Sequence, residues 1–269
     1  MTDLKSSFTG SMAEHYDRIM GPAQFDVFAA DLVGRLATRP PGDVLEVACG
    51  TGIVTRRLRE RLDPRLRLVA SDLSKSMLDY AREKLRAVSG IEWREADAAK
   101  LPFEDGSFGA VVCAFGVMFV PDKKAAFGEA RRVLKEGGVL LFNVWDGLDA
   151  NPQSRATNDV IEAMFPGDPE MRFRGPFEFN DRAVLGSLLA GARFGQVRME
   201  PVRLEVRAPS ARHYAAGQLK GTPRGALFAQ RGISVEQVID KVAAALAAVG
   251  GEAPFRCTAQ ALVVEARAV

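Results

Sequence analysis

The chain has 269 residues, of which 47% are hydrophobic and 26% are charged, and its formal net charge is +2. This length and composition predict a large buried core in one domain with an elaboration, or at most two domains. The balanced charge argues against a nucleic-acid-binding surface. No apolar run approaches the length of a membrane span, and the N-terminus lacks a signal-peptide pattern, so we expect a cytoplasmic protein.

The pattern of the three cysteines also favours a cytoplasmic protein. Cys49, Cys113 and Cys257 are widely spaced, form no Cys-x-x-Cys pair and have no histidine nearby in the sequence. This pattern predicts reduced thiols, with neither a disulfide framework nor a metal site.

The first 38 residues divide into a polar segment and a helix. Residues 1–24 are broken by glycine and proline, and we interpret them as an arm outside the core. Residues 25–38 carry apolar side chains at helical spacing, which predicts a helix covering the first strand; they are Phe25, Phe28, Leu32 and Leu36.

The stretch Asp43-Val-Leu-Glu-Val-Ala-Cys-Gly-Thr-Gly52 has the pattern of a ligand-binding turn. An apolar run predicts a buried strand over 44–47, and apolar residues every four positions from Val54 predict a helix. Between them, a Gly-x-Gly turn lets a ligand approach the backbone and the unpaired N–H groups of the first helical turn.

The residues alone leave two kinds of ligand open. Thr55 replaces the third glycine of the dinucleotide fingerprint, which weakens the case for a nicotinamide cofactor. Asp72 follows a second predicted strand over 66–70, twenty positions after Gly52. That spacing suits any adenosine-type ligand laid across two strand ends, including S-adenosylmethionine.

The pattern of strand and helix continues to residue 146. Strands are predicted over 91–96, 110–114 and 139–145, with Ser74 and Asp122 as helix N-caps and the pair Gly137-Gly138 ending the helix before strand five. This alternation predicts a parallel sheet covered by helices on both faces.

The remaining residues predict fewer elements. Residues 147–180 are rich in glycine and proline, with a helix over 157–165, and a further helix follows Asp181 and ends at Gly191. Strands are predicted over 196–206, with a bulge at Pro201, and over 255–266, with a helix over 235–249 between them.

Four segments resemble, in order, the motifs of class I S-adenosylmethionine-dependent methyltransferases. They cover about 100 residues, and the closest group is the type 11 set, which includes ubiquinone and menaquinone biosynthesis methyltransferases. The segments are Glu46 to Gly52, Asp72 to Leu78, Trp93 to Phe103 with Asp105 to Val112, and Glu129 to Gly138.

The resemblance implies an α/β fold. It consists of a Rossmann-like, seven-stranded, mostly parallel sheet with an antiparallel last strand, helices on both faces and helical lid insertions. The implied parts are an arm over the cofactor at 1–24, a cofactor-binding core at 25–146, a lid segment at 147–180, completion of the sheet by 181–206 and 255–269, and a helical insertion at 207–254.

The resemblance also implies residues that bind S-adenosylmethionine. Tyr16 corresponds to a residue at the cofactor's methionine end, Leu73 and Met77 to residues on the adenine face, and Asp97 to the acceptor of the adenine amino group. Simple packing of Tyr16 and Met77, and a turn role for Asp97, are the alternatives. The implied set is Tyr16, Glu46, Ala48, Cys49, Gly50, Gly52, Asp72, Leu73, Met77, Asp97, Ala98 and Phe115.

The implied activity is direct methyl transfer to a small, hydrophobic acceptor. Ala114-Phe-Gly-Val lacks the Asn/Asp-Pro-Pro-Tyr/Phe motif of DNA amino-methylating enzymes, so we expect no nucleic-acid substrate. His15 and His213, the only histidines, are weak candidates for a general base. The alternatives are a non-catalytic S-adenosylmethionine-binding module and, with less support, an NAD(P)-dependent oxidoreductase. Neither the acceptor atom nor the oligomeric state follows from the sequence.

Overall fold

The computed structural model describes residues 10–36 and 42–269, and every structural statement below concerns these residues. Seven strands alternate with helices along most of the chain. The strands are β1 (Val44–Val47), β2 (Leu68–Asp72), β3 (Ile91–Glu95), β4 (Phe108–Ala114), β5 (Leu134–Trp145), β6 (Phe194–Ala208) and β7 (Phe255–Ala268).

All seven strands form one sheet in the order β3-β2-β1-β4-β5-β7-β6. Strands β1 to β5 pair in parallel, and β7 lies between β5 and β6 and is antiparallel to both. The predicted seven-stranded sheet with one antiparallel last strand is confirmed. Every residue of β1 is buried, as its central place in a sheet with helices on both faces requires.

The helices cover the sheet and build a separate layer near its end. A π-helix spans Tyr16–Phe25, and several short 3₁₀ turns connect the larger elements. The α-helices are α1 (Gly10–His15), α2 (Asp26–Leu36), α3 (Ile53–Arg61), α4 (Lys75–Lys84), α5 (Lys123–Val133), α6 (Pro152–Met164), α7 (Arg182–Gly191), α8 (Ala211–Lys220), α9 (Pro223–Gln230) and α10 (Val235–Gly250).

Side-chain caps fix the starts of several helices. The Ser74 hydroxyl accepts the Met77 N–H at 3.4 Å, and the Asp122 carboxylate accepts the Ala125 N–H at 2.9 Å. Asp181 accepts an N–H from the first turn of α7 in the same way. Both predicted N-caps are confirmed, since the donors they bind are otherwise unpaired in a first helical turn.

Two local predictions are wrong. The Gly137-Gly138 pair does not end α5, because β5 already begins at the buried Leu134, which pairs with Phe108. The irregularity in β6 lies between Gly195 and Arg198, while Pro201 pairs regularly with Leu262. A proline is tolerated there because β6 is an edge strand, where its missing N–H leaves no partner unpaired.

A second hydrophobic core lies beside the sheet core. It joins the π-helix to α6, α8, α9 and α10, and its large buried side chains are Tyr214, Phe228 and Phe255. A Cβ on Gly217 of α8 would lie 2.4 Å from Ile19, so these elements pack closely. Residues 12–24 therefore contribute to a core, contrary to their interpretation as an arm outside it; residues 1–9 lie outside the described part of the chain.

Within residues 10–36 and 42–269, none of the helices combines the length and apolar character needed to cross a membrane.

Candidate functional site

The ends of neighbouring parallel strands bring the glycine-rich turn and the predicted acidic residue together. Val47, Asp72 and Ala114 end β1, β2 and β4, and both flanking strands pair with β1 in parallel. Ligands of open α/β sheets bind in the crevice at this carboxyl edge, where loops leave the sheet in different directions.

The turn after β1 has three residues with positive φ. Ala48, Gly50 and Gly52 have φ angles of 56°, 54° and 77°, a region that is unfavourable for alanine and open to glycine. A Cβ on Gly50 would meet no atom within 4 Å, whereas one on Gly52 would lie 3.0 Å from Leu85 of the loop after α4. Gly50 thus presents bare backbone to open space, and Gly52 permits close packing.

Asp72 holds this turn in place. Its Oδ2 accepts the Gly50 N–H at 2.8 Å, and its Oδ1 accepts the Ser74 N–H at 2.8 Å. Burial raises the pKa of Asp72, while the N–H groups of Ser74 and Gly50 oppose that rise. The carboxylate therefore connects the end of β2 to the glycine-rich turn.

Glu46 is a buried acid without a complete set of partners. Only 1% of its surface is exposed, and its Oε2 accepts no hydrogen bond from the described residues. Burial raises the pKa of Glu46 to about 8, the neighbouring Thr55 hydroxyl opposes the rise, and the charge of Asp72 adds to it. The Thr51 hydroxyl is likewise buried and unpaired. Because buried polar groups are normally satisfied, this cluster indicates a missing polar ligand.

Phe115 belongs to an aromatic cluster beside the turn. Its φ is 53°, and its N–H donates to Oδ1 of Asn143 at 2.9 Å. The Phe115 ring stacks on Trp145 with centroids 4.0 Å apart. The centroid of the Phe25 ring lies 5.7 Å from that of Phe115. Tyr16 in turn stacks on Phe25 at 4.8 Å. The cluster provides an apolar wall at the ends of β4 and β5.

The start of the π-helix is anchored near Asp72. Asp17 pairs with Lys84 of α4 at 2.6 Å. Burial raises the pKa of the Tyr16 phenol, with smaller contributions from the charges of Asp17 and Asp72. The phenol is therefore neutral at physiological pH and can donate a hydrogen bond to a ligand.

The other predicted residues have varied surroundings. Asp97 is exposed and its Oδ1 accepts the Ala99 N–H at 2.9 Å, which is a turn role. Leu73 is half-buried and Met77 is buried. Ala98 lines a small cavity of about 30 Å³ beside Val47. Cofactor contacts of all of these residues stay a prediction.

The thiols and histidines offer little chemistry here. Burial raises the pKa of Cys49 well above its ordinary value, so its thiol is not activated. His15 ends α1 and is half-buried, whereas His213 is exposed on α8, and its N–H donates to the Ser210 hydroxyl. Among the described residues, no group of three or more His, Cys, Asp or Glu side chains could hold a metal ion.

Sequence reasoning missed several residues near the site. Trp145 and Phe25 complete the aromatic cluster, and Lys84 anchors Asp17. The one available signal was the position of Trp145 at the carboxyl end of a predicted strand. The contact of Phe25 with Phe115 joins residues too far apart for a local pattern to reveal.

The turns after β1 and β4 are in close contact at Gly116. A Cβ on Gly116 would lie 2.4 Å from the Cβ of Ala48 and 3.0 Å from the Cys113 sulfur.

We expect Gly116→Ala to lower the free energy of unfolding by about 1–3 kcal/mol, as overpacking does. Gly128→Ala is the control, because its Cβ meets nothing within 4 Å and lies inside α5. It should raise stability by about 0.5–1 kcal/mol in urea unfolding. Equal midpoints for Gly116→Ala and wild type would show that the turns do not touch.

Comparisons with known proteins agree with this geometry. Residues 45–142 match a family described as "Methyltransferase domain". A demethylmenaquinone methyltransferase of Staphylococcus aureus strain JH9 is 33% identical over 134 residues, which are 49% of this chain and 56% of that protein. The match thus spans little more than half of the relative's length.

Solved structures share the fold at low sequence identity. Phosphoethanolamine N-methyltransferase 2 of Haemonchus contortus, in complex with phosphomonomethylethanolamine and S-adenosylhomocysteine, has a TM-score of 0.62 at 15% identity. The comparison covers 97% of this chain and 58% of that one. The [4+2]-cyclase SpnF has a TM-score of 0.59 at 17% identity and covers 91% and 81% of the two chains.

The two structural neighbours have different activities in their names, so the shared fold by itself does not select a reaction. The family match includes β1 to β4 and most of β5, and therefore the glycine-rich turn and Asp72. Residues 45–142 therefore resemble a methyltransferase domain, and the order of the sheet agrees with a class I S-adenosylmethionine-dependent methyltransferase fold.

Proposed function

We propose that the protein transfers a methyl group from S-adenosylmethionine to a small organic acceptor with hydrophobic bulk. The observation that carries the proposal is the arrangement at the end of β1, where the open backbone of Gly50 is bound to Asp72 and lies near the unpaired Glu46. A bare backbone beside two carboxyl groups suits a ligand with hydroxyl and ammonium donors.

The described residues fit this cofactor chemically. Asp72 would accept hydrogen bonds from ribose hydroxyls, and Glu46 has a free oxygen for a cationic donor. Tyr16 would donate to the carboxylate end, and Leu73, Met77 and Asp97 would surround the adenine. When bound, S-adenosylmethionine supplies an electrophilic methyl group.

The protein's own contribution is alignment and exclusion of water. The aromatic cluster of Phe115 and Trp145 would hold the apolar body of the acceptor, and the π-helix contacts both rings through Phe25 and packs against α8. Holding reactants in line can lower a barrier by roughly 7–11 kcal/mol. A general base would add roughly 10²–10⁴-fold, and only for an acceptor that loses a proton. His15 and His213 gain no support for that role from their positions.

The test is methyl transfer itself. The protein is incubated with methyl-labelled S-adenosylmethionine and a panel of apolar phenols, amines and enols, each with and without a carboxylate or phosphate group, and both S-adenosylhomocysteine and labelled product are quantified. We expect equal amounts of the two with at least one acceptor. Binding of the cofactor without transfer to any panel member would contradict the proposal.

A second candidate is a non-catalytic protein that binds S-adenosylmethionine. It is favoured by the hydrophobic core that packs the π-helix against α8 beside the aromatic cluster, where the first candidate needs room for an acceptor. The turnover experiment separates the two candidates, because this one predicts binding without product. The nicotinamide alternative gains no support from the matched family.

The remaining assignments belong to the same proposal. The acceptor would be a small molecule and not a nucleic acid, and the compartment would be the cytoplasm. The free state of Cys49, Cys113 and Cys257 is consistent with a reducing environment.

A further inference from the structure

The buried face of α6 is polar, which is unusual for a helix that covers a core. Its buried side chains include Gln153, Ser154, Thr157 and Asn158, followed by Ile161 one turn later. A packing helix normally buries aliphatic residues, and buried polar side chains cost free energy unless they are paired. A face of this kind indicates a ligand or a specific polar network.

Part of this face is satisfied within the protein. The Thr157 hydroxyl lies 2.5 Å from Oε1 of Gln218 on α8. The Tyr214 hydroxyl, also on α8, donates to Oε1 of Gln24 in the π-helix. The Nε2 of Gln153, whose residue is fully buried, has no partner among the described residues. The network therefore ends at an amide donor without a well-formed hydrogen bond, although the Gln153 side chain is close enough to the Tyr214 phenol to oppose the rise of its pKa.

Arg224 at the start of α9 is a buried cation beside this network. It is 7% exposed, its Nη2 donates to Oδ1 of Asn158, and its guanidinium lies 4.4 Å from the Phe173 ring centroid. Its Nε has no partner, and it forms no ion pair with a described carboxylate. Glu162 adds only a longer-range attraction, since its two oxygens bind Arg174 at 2.7 Å.

The guanidinium remains charged at neutral pH. Burial lowers the pKa of Arg224 to about 9, which is still well above physiological pH. A buried charge with no counter-ion is costly, and arginine offers a planar fork of donors that matches carboxylate and phosphate oxygens. Arg224 is therefore a buried cation whose donors suit a carboxylate or a phosphate.

The polar network continues into the candidate site through one segment. Gln24, which accepts from Tyr214, is followed directly by Phe25, whose ring lies 4.8 Å from Tyr16 and 5.7 Å from Phe115. The arginine, the amide and the aromatic wall therefore belong to neighbouring, mutually packed elements.

We propose that the methyl acceptor carries an anionic oxygen group, a carboxylate or a phosphate, which Arg224 binds with help from the amide of Gln153. The inference rests on the proposed function, because it assigns the elements packed between the aromatic cluster and α6 to the acceptor site. An apolar body on the aromatic wall and an anionic end at Arg224 define the class of acceptor.

The test uses three probes with the same phenylalkyl body. They are 3-phenylpropionate, 2-phenylethyl phosphate and the neutral 3-phenylpropan-1-ol, titrated calorimetrically into protein saturated with S-adenosylhomocysteine. We expect at least one anion to bind roughly 10-fold or more tightly than the alcohol, and the tighter anion identifies the group. Equal binding of the three probes, or no binding of any, would overturn the inference.

Two variants test whether Arg224 is the group that binds the anion. Arg224→Met should reduce anion binding to the level of the alcohol while S-adenosylhomocysteine binds as in wild type. Asn158→Asp places a carboxylate next to Arg224 in place of the amide oxygen that now accepts from it, so it should weaken anion binding roughly 10-fold or more. If Arg224→Met does not fold, Asn158→Asp decides alone. Wild-type anion affinity in the folded variants would refute the site, whereas failure of wild type to bind S-adenosylhomocysteine would refute the proposed function instead.

Discussion

The Asp72→Ala variant is expected to bind S-adenosylhomocysteine roughly 100-fold more weakly than the wild-type protein. Asp72 ends β2 beside the glycine-rich turn and carries the acceptors for the ribose hydroxyls in the proposed site. Hydrogen bonds to a charged acceptor contribute about 1.5–3 kcal/mol each, so losing the carboxylate removes most of the affinity that this end of the cofactor supplies.

The same substitution should also affect stability, and that effect can be measured separately. Alanine leaves the N–H groups of Gly50 and Ser74 without their acceptor, at a cost of about 1–3 kcal/mol in the free energy of unfolding. Calorimetry gives the affinity and urea unfolding gives the stability. Asp79→Ala is the control, because Asp79 is an exposed acid of α4 whose partners, Lys75 and Arg82, are exposed on the same helix. Unchanged affinity in a folded Asp72→Ala protein would remove Asp72 from the cofactor site.

Glu46→Gln is expected to remove a pH dependence of stability. The pKa of Glu46 rises from 4.5 to about 8 on folding because the side chain is buried. Between these values the folded protein holds a proton that the unfolded chain has released, so the free energy of unfolding falls as pH rises. Each tenfold difference in proton affinity between the two states is worth about 1.4 kcal/mol, so the loss is on the order of 3–5 kcal/mol.

The measurement is urea unfolding of both proteins from about pH 5 to about pH 9. The glutamine variant lacks the titrating group, so its stability relative to wild type should increase steadily across this range. Glu95→Gln provides the control, since Glu95 is an exposed acid at the end of β3. Parallel pH profiles for wild type and Glu46→Gln would mean that Glu46 is ionised in the folded protein.

The elements that the sequence predicted correctly depend on interactions between residues a few positions apart. The run of apolar residues in β1, the glycines after it and the caps Ser74 and Asp122 each act within a few residues. Asp72 was found because the end of a predicted strand fixes its place at the sheet edge. Its bond to the Gly50 N–H then follows from the parallel pairing of β1 with β2.

The features that were missed depend on partners distant in the sequence. The start of β5 is set by the pairing of Leu134 with Phe108, and that pairing overrides the glycine pair that follows. Arg224 meets Asn158 only because α9 packs beside α6, and no periodicity in either helix predicts this contact. Likewise, helix α8 was not predicted, although its Gly217 packs against Ile19 of the π-helix.

The most direct test of the account is calorimetric titration of the wild-type protein with S-adenosylhomocysteine, with NAD⁺ titrated in parallel. We predict micromolar or tighter binding of S-adenosylhomocysteine and none of NAD⁺, with the affinity largely lost in Asp72→Ala. Absence of S-adenosylhomocysteine binding by the folded protein would contradict the account, because the turn around Gly50 would then hold a different ligand or none.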